Sequence, residues 1–364
     1  MAVSFFDKRT RKKREQMLAV DLGSRVTKAV HLQRSGDGFA LCGFALLDAP
    51  IFDKALSVEL LAEHLSAVGK LLNAKTRLLA LTVGINDALL RHVEMPPMPM
   101  SDMRQVLRIN SRNYLQQDLS GHVFDCCAAV TAAAAPLPAP ANGKAKDAVK
   151  PPAQKQKTLV GGAKRQLIDD FLAGAKRAGF VADHVVPGVL GPVNAFELAQ
   201  PELFAKSVVA LVDIGFRSSS IAILQEGELA LNRVVNIGGD KLTAGLAEQM
   251  NINYAEAEGI KVGMPQEVQT ALEGLLVPLG RELRASLDFY EHQHDRTVSQ
   301  VFLSGGSAQS ECVVQTLRQE LMVECTTWNP TSFLKIAVPE RQAAELPQVA
   351  GQLAVAVGAA LTAL

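Results

Sequence analysis

Two short stretches carry the residue types that chemistry at an anion needs. Asp21, Gly23, Ser24, Thr27 and Lys28 fall within eight residues, and Asp213, Gly215, Ser218 and Ser219 repeat most of that set about 190 residues later. Glycine lets backbone N–H groups come close to an anion, and successive amides in a turn form an anion-binding nest. Serine and threonine add hydroxyl donors, lysine adds charge, and an aspartate on each side can orient Mg2+ through water. Two such turns facing one another would hold a polyphosphate between them. A single Asp-x-Gly turn is usually only a turn; two, each flanked by strands, carry more weight.

Three later stretches fit the same chemistry. Gly238-Gly239-Asp240 opens a predicted helix, and a glycine-rich helix N-terminus favours phosphate. Glu258 and Lys261 sit three apart, a spacing that clasps a ribose or is an ordinary surface pair. Ser304-Gly305-Gly306 ends a predicted strand, which leaves room for a flat base against backbone or makes a plain turn.

These residues need elements to position them. The apolar runs 17–20 and 26–32 read as a hairpin around DLGS, with a third strand at 39–47. A helix over 56–72 and a buried strand over 78–83 follow. Prolines forbid regular structure at 95–100. Ser101 is the expected N-cap of a helix over 102–114, with Met103, Val106, Leu107 and Asn110 on one face. A strand is predicted over 123–130. Residues 131–157 are rich in Ala, Pro and Lys and read as a disordered insertion. A helix over 165–178 is expected to end at Gly179. The second hairpin joins 208–212 to 221–224 through DIGFRSSS. Helices are predicted over 242–250, 255–262 and 270–292, the last kinked or split by Pro278. A short strand at 301–303 and a closing helix over 348–364 complete the pattern.

Composition narrows the function classes. At 364 residues the chain has room for roughly two domains. Lys+Arg and Asp+Glu are equal at 37, which argues against a generally basic nucleic-acid binder and against an acidic disordered chain. Cys42, Cys126, Cys127, Cys312 and Cys325 contain no C-x-x-C pair, so reduced thiols are expected, with a strained Cys126–Cys127 disulfide as the alternative. No apolar run approaches the roughly 18–20 residues of a membrane span, and Asp21 interrupts the first apolar run, a poor signal peptide. A cytosolic protein is expected. Residues 1–16 form a basic arm with Phe5 and Phe6, either a solvated terminus or an arm drawn to an anionic membrane face. His292 and His294 read as a solvated pair rather than metal ligands. Met95, Met98 and Met100 suit either core packing or an adaptable peptide-binding surface. The Walker A, H-E-x-x-H and G-x-S-x-G signatures are missing.

The stretches LAVDLGSRVTK, LVDIGFRSSSIAI, NIGGDKLT, YAEAEGIK and VFLSGGSA, in this order, resemble the phosphate, connecting and adenosine motifs of the actin–Hsp70–sugar-kinase ATPase superfamily. Within it the chain is similar to the PilM family of type IV pilus assembly proteins and to its relative FtsA. HVEMPPMPMSDMRQVLRINSRNYL resembles the Pro-rich strand and helix from which these proteins build a small domain 1C, and RELRASLDFYEHQ and PQVAGQLAVAVGAAL also resemble the PilM pattern. The resemblance runs from about 17 to 364, the 131–157 insertion apart.

It implies a two-lobed α/β fold of the actin/Hsp70 kind, with ribonuclease H-like subdomains. Lobe I would combine 17–92, 180–206 and 340–364; domain 1C would span 93–179; lobe II would span 207–339, with a helical subdomain at 241–300. It implies ATP and Mg2+ as ligands. Asp21, Gly23, Ser24, Thr27 and Lys28 would meet phosphates and metal from one side, and Asp213, Gly215, Ser218 and Ser219 from the other. Asp21 and Asp213 would hold Mg2+ through water. Gly239 would approach the phosphates, Glu258 and Lys261 the ribose or adenine, and Gly305 and Gly306 the base. Phe216 and Arg217 depart from the small residues usual in the second turn, where they would crowd or charge the pocket. The stretch 183–194 lacks the acidic or amide residue that hydrolysing relatives use to position water, which favours slow or absent hydrolysis.

The implied partner is a PilN-like inner-membrane protein, gripped by its cytoplasmic N-terminal peptide in a groove between 1A and 1C near 85–115. The same resemblance implies a place in the pilus assembly complex, a cytoplasmic location at the inner membrane face and room for self-association, with no role for nucleic acid. An FtsA-like polymerising division protein and a small-molecule kinase are the competing readings. A type II secretion protein of the GspL kind is close in fold, though that family normally adds a membrane span and a periplasmic domain.

Overall fold

A computed structural model describes residues 14–52, 56–128 and 155–364. Most of the basic arm and most of the 131–157 insertion lie outside the described residues. The chain begins with β1 (Gln16–Asp21), β2 (Val26–Ser35), β3 (Gly38–Asp48), α1 (Val58–Leu72) and β4 (Leu78–Val83). Next come β5 (Ala88–Met95), α2 (Met100–Leu115), β6 (His122–Ala128), β7 (Gln156–Lys164), α3 (Arg165–Arg177), β8 (Val181–Pro187), α4 (Leu190–Ala199) and α5 (Pro201–Lys206). The second half holds β9 (Val208–Ile214), β10 (Ser219–Gln225), β11 (Glu228–Val235), α6 (Gly239–Met250), α7 (Tyr254–Gly263), α8 (Gln269–His294), β12 (Gln300–Ser304), α9 (Glu311–Leu321) and β13 (Cys325–Thr327). It closes with β14 (Lys335–Ile336), α10 (Glu340–Val349) and α11 (Ala354–Leu361).

The first sheet runs β14-β3-β2-β1-β4-β8 and the second β11-β10-β9-β12-β13. Apart from β14, both follow one plan: an antiparallel three-strand meander, then two strands added parallel to its first. This is the doubled ribonuclease H-like arrangement expected for the two lobes. β1 and β9 are apolar almost throughout because each is covered on both faces. Met17 and Ala19 enter one core while Leu18 and Val20 enter another; Val209 and Leu211 alternate in the same way with Val208, Ala210 and Val212.

The core holding Met17, Ala19, Leu211 and Phe302 lies between the sheets and includes α4 and α11. On the outer faces, α1 and α3 cover the first sheet, and α6, α8 and α9 cover the second. Residues Glu340–Leu361 are long and apolar enough to cross a membrane by length and composition. Within it Ala354–Ala360 are each buried, which makes α11 a core helix, whereas in α10 only Leu346 is buried. α4 and α11 cross backbone to backbone: a methyl group on Gly358 would lie 1.7 Å from the Gly191 carbonyl oxygen.

The third sheet, β5-β7-β6, is antiparallel and packs its apolar face on α2 through Met95, Met103, Leu107, Phe124 and Cys126. Met95 is wholly buried there, and Met98 and Met100 pack against the same cluster. This small domain departs from the expected 93–179 at both ends. β5 already begins at Ala88, while α3 puts Ile168, Phe171 and Ala175 against Leu61 and Leu65 in the first sheet's outer core. Lys335–Ile336, inside the expected lobe II, adds a strand to β3 of the first sheet. Gln156 and Lys157 belong to β7 rather than to the insertion, where Lys157 pairs with Glu94. α2 starts at Met100 behind Pro99, so Ser101 does not cap it; its hydroxyl donates to Asp102 instead. α8 continues through Pro278, and the closing helix divides at a tight turn over Ala350–Leu353. None of the five cysteines is in a disulfide, and His294 stacks on Tyr290.

Candidate functional site

Strand parity decides which polar residues face the other lobe. Residues directly opposite on antiparallel strands share a face, and the next residue along faces away. Asp21 pairs with Lys28, and both follow the parity of Met17, Ala19 and Val30, which point to the core between the sheets. Asp213 pairs with Ser220, on the parity of Leu211 and Ala222. The two aspartates therefore approach one cleft from opposite sheets.

Each aspartate is held in the same manner. β4 lies beside β1, and Thr82 Oγ1 donates to Asp21 Oδ1 at 3.1 Å. β12 lies beside β9, and Ser304 Oγ donates to Asp213 Oδ1 at 2.8 Å. Lys28 Nζ forms an ion pair with Asp21 Oδ2 at 3.3 Å. Burial pushes the Asp213 carboxyl above the usual aspartate range; the Lys28 charge and the Ser304 hydroxyl act against that, and the Asp21 charge adds to it. One lysine thus serves two carboxylates. Such a cluster suits a ligand that brings a metal ion for the carboxylates and phosphate for the lysine.

The turns differ more than the strands. Ser24 is exposed and the Gly23 N–H donates to the Asp21 carbonyl at 3.0 Å. In the second turn the Gly215 N–H donates to the Ser218 carbonyl, while the Gly215 and Phe216 carbonyls accept from the N–H groups of Gly239 and Asp240. The first turn of α6 is therefore capped by the hairpin itself, and Gly239 holds that hairpin in place. Ser218 Oγ accepts from Asn86 Nδ2 at 2.8 Å, a bond between the lobes. Phe216 is half-buried and Arg217 exposed.

Two expected phosphate ligands face away. Thr27 is 1% exposed and its hydroxyl lies 2.8 Å from His64 Nε2 of α1, on the parity of Ala29 in the outer core. Ser219 is wholly buried and donates to the Ile237 carbonyl at 2.7 Å. Both are structural bonds, and the reason is parity: each sits next to the residue that pairs with its aspartate.

Glu258 and Lys261 come together on α7 beneath the start of α6. Lys261 Nζ lies 2.7 Å from Glu258 Oε2 and donates to Thr243 Oγ1 and the Gly239 carbonyl, and Thr243 also donates to Glu258. Burial pushes the Glu258 carboxyl upward, but the hydrogen bonds from Lys261 and Thr243 and the charges of Lys261 and Arg25 hold it below the usual range. Gly305 has φ +96, and a methyl group there would lie 2.4 Å from the Ile214 carbonyl oxygen. Gly305 thus packs the end of β12 against β9, whereas a methyl group on Gly306 would only make ordinary contact with the Gln352 side chain, 3.7 Å away.

Sequence reading missed four participants: Thr82, Asn86, Thr243 and Arg25. The NH1 group of Arg25 donates to Glu258 Oε1 at 2.6 Å, and its guanidinium lies 5.1 Å from the Phe216 ring centre. Parallel pairing of β4 with β1 was the available signal for Thr82; the others depend on contacts between distant segments.

Comparison with known proteins follows this geometry. A chain solved as the PilM–PilN type IV pilus biogenesis complex superposes with a TM-score of 0.80 at 21% identity, over 96% of this chain and 98% of that one. MreB5 of Spiroplasma citri bound to ADP superposes with a TM-score of 0.50 at 9% identity, over 95% of each chain. The cell division protein FtsA of Bacillus subtilis (strain 168) is 32% identical over 104 residues, which are 29% of this chain and 23% of that protein. The fold is the two-lobed fold of the actin-like ATPases. The family model for type IV pilus assembly protein PilM matches residues 147–364, more than half of the chain, and the chain belongs to that family.

Proposed function

We propose that this chain is an ATP-binding scaffold of type IV pilus assembly that docks on a PilN-like inner-membrane protein from the cytoplasmic side. The observation that carries the reading is the likeness over 96% of the chain to a protein solved in complex with PilN. Asp21 and Asp213 would hold Mg2+ through water, Lys28 and the Gly23–Ser24 turn would take the phosphates, and Glu258 with Lys261 would take the ribose. When bound, the nucleotide supplies charge and hydrogen-bonding groups that join the two lobes. Thr27, Ser219 and Gly305 act behind this set, as supports for the strands.

Binding without fast turnover is the expected behaviour. Of the polar residues in 183–194, Asp183 is bound by Arg14 at 2.8 and 3.1 Å, and the Asn194 amide donates to Gly358 and Thr362. His184 Nδ1 lies 3.1 Å from the same Asp183, so these side chains are engaged with partners of their own, which supports slow or absent hydrolysis. The partner peptide would lie along β5 and α2, near 85–115, where the small domain meets lobe I.

Calorimetry with Mg–ATP and Mg–ADP, repeated with the N-terminal peptide of the neighbouring PilN-like protein, tests the reading. Nucleotide affinity that the peptide shifts is expected, because coupling between two sites is reciprocal. Peptide binding without nucleotide binding would leave an adaptor that has kept only the fold. Absence of peptide binding would remove the pilus partner.

A further inference from the structure

Arg25 stands in the turn between β1 and β2, next to Ser24, yet its side chain ends on the other lobe. Its guanidinium donates to Glu258 of α7 at 2.6 Å and lies 5.1 Å from the ring centre of Phe216 in the second hairpin. One residue therefore joins three parts of the cleft: its backbone belongs to the first turn, and its side chain reaches the second by cation–π contact and Glu258 by charge. Glu258 accepts from Lys261 and Thr243 as well, so its carboxylate is fully engaged.

We propose that Arg25 is a latch that nucleotide must displace. The inference rests on the assignment of the cleft to nucleotide. A nucleotide reaching from the Gly23–Ser24 turn to Glu258 follows the line the Arg25 side chain now takes, and its ribose hydroxyl needs the carboxylate that Arg25 holds. Arg25 is thus an internal competitor that sets the threshold for nucleotide entry and ties that entry to loss of a contact between the lobes.

The size of the effect follows from exposure. The Arg25 side chain is 42% exposed and that of Glu258 16%, so the pair is only partly withdrawn from solvent. An ion pair of this kind together with one cation–π contact amounts to roughly a 3- to 10-fold change in an equilibrium. A guanidinium that instead gripped phosphate would make the opposite sign.

The test is titration of the full chain with Mg–ATP and Mg–ADP, comparing wild type, Arg25→Ala, Arg25→Gln and Asp213→Ala, with thermal unfolding confirming that each folds. Arg25→Ala and Arg25→Gln are expected to bind roughly 3- to 10-fold tighter than wild type, and Asp213→Ala to bind weaker. Binding only in the Arg25 variants would support the latch still more strongly. Equal or weaker binding in the Arg25 variants, with wild type binding and Asp213→Ala impaired, overturns the latch and leaves the nucleotide cleft standing. No binding by any variant overturns the cleft and the latch with it.

Discussion

The two lobes repeat one strand order and brace their aspartates alike, but their hairpins do different work. In the first, charge is concentrated: Asp21 and Lys28 face the cleft and Ser24 is exposed. In the second, the backbone is engaged internally, through Gly215 with Ser218 and Gly239, and the cation that acts on Asp213 is Lys28 of the first hairpin, while Arg217 of its own turn is exposed. A shared topology therefore fixes where a carboxylate sits, and the neighbouring residues decide what that carboxylate can do. The first hairpin turns an acid and a cation toward the cleft, and the second fixes the start of α6 and presents a single acid.

The sharpest way to break this contrast is at Lys28. If it neutralises both aspartates, Lys28→Ala leaves two carboxylates facing each other, and nucleotide affinity should fall by about 2–4 kcal/mol. A loss no larger than that of an exposed contact would mean the second hairpin manages its charge alone. The hydroxyl braces come next. Ser304→Ala and Thr82→Val each remove one bond to a carboxylate and should each weaken Mg–nucleotide binding by about 1–2 kcal/mol. Ser304→Ala should be the larger, because burial already disfavours the Asp213 charge. Reversal of that order would move the metal site toward Asp21.

The smallest effect concerns stability. The folded chain holds the Asp213 proton to higher pH than the unfolded chain does, so stability falls as pH rises through the ordinary aspartate range toward the folded value. Asp213→Asn removes that loss. Its unfolding midpoint without nucleotide should exceed wild type by about 1–3 °C at pH 7–8, and the gain should vanish below about pH 4. A gain independent of pH would show that something other than ionisation is relieved.

Much of this was legible in the chain. Both hairpins, α1, β4 and the long α8 follow from apolar runs with glycine turns between them, and these are local signals. β5 was read only through the family resemblance and β7 not at all: the two pair about 70 residues apart, and β7 opens with the polar QK and carries a glycine pair. Residue type singled out Asp21, Lys28, Asp213 and Glu258, which the fold gathers around one cleft, but type does not give facing, and Thr27 and Ser219 turn away from it. Counting alternation outward from Asp21 and Lys28 would have put Thr27 behind the sheet. Arg25 was passed over because nothing near it in the chain foretells Glu258, 233 residues away.

The crossing of α4 and α11 has a mechanical meaning. Glycine inside a helix costs it roughly 0.5–1 kcal/mol relative to alanine, and two helices accept that cost to meet at Gly191 and Gly358. A contact of bare backbones has no rotamers to lock and no side chain for mutation to lengthen or trim. The crossing fixes the separation of the two rods, and the Asn194 amide, donating to Gly358 and Thr362, pins one against the other. A substitution that adds a side chain at Gly191 or Gly358 is therefore expected to force the two rods apart, whereas one at an exposed cleft residue such as Arg25 leaves their spacing unchanged.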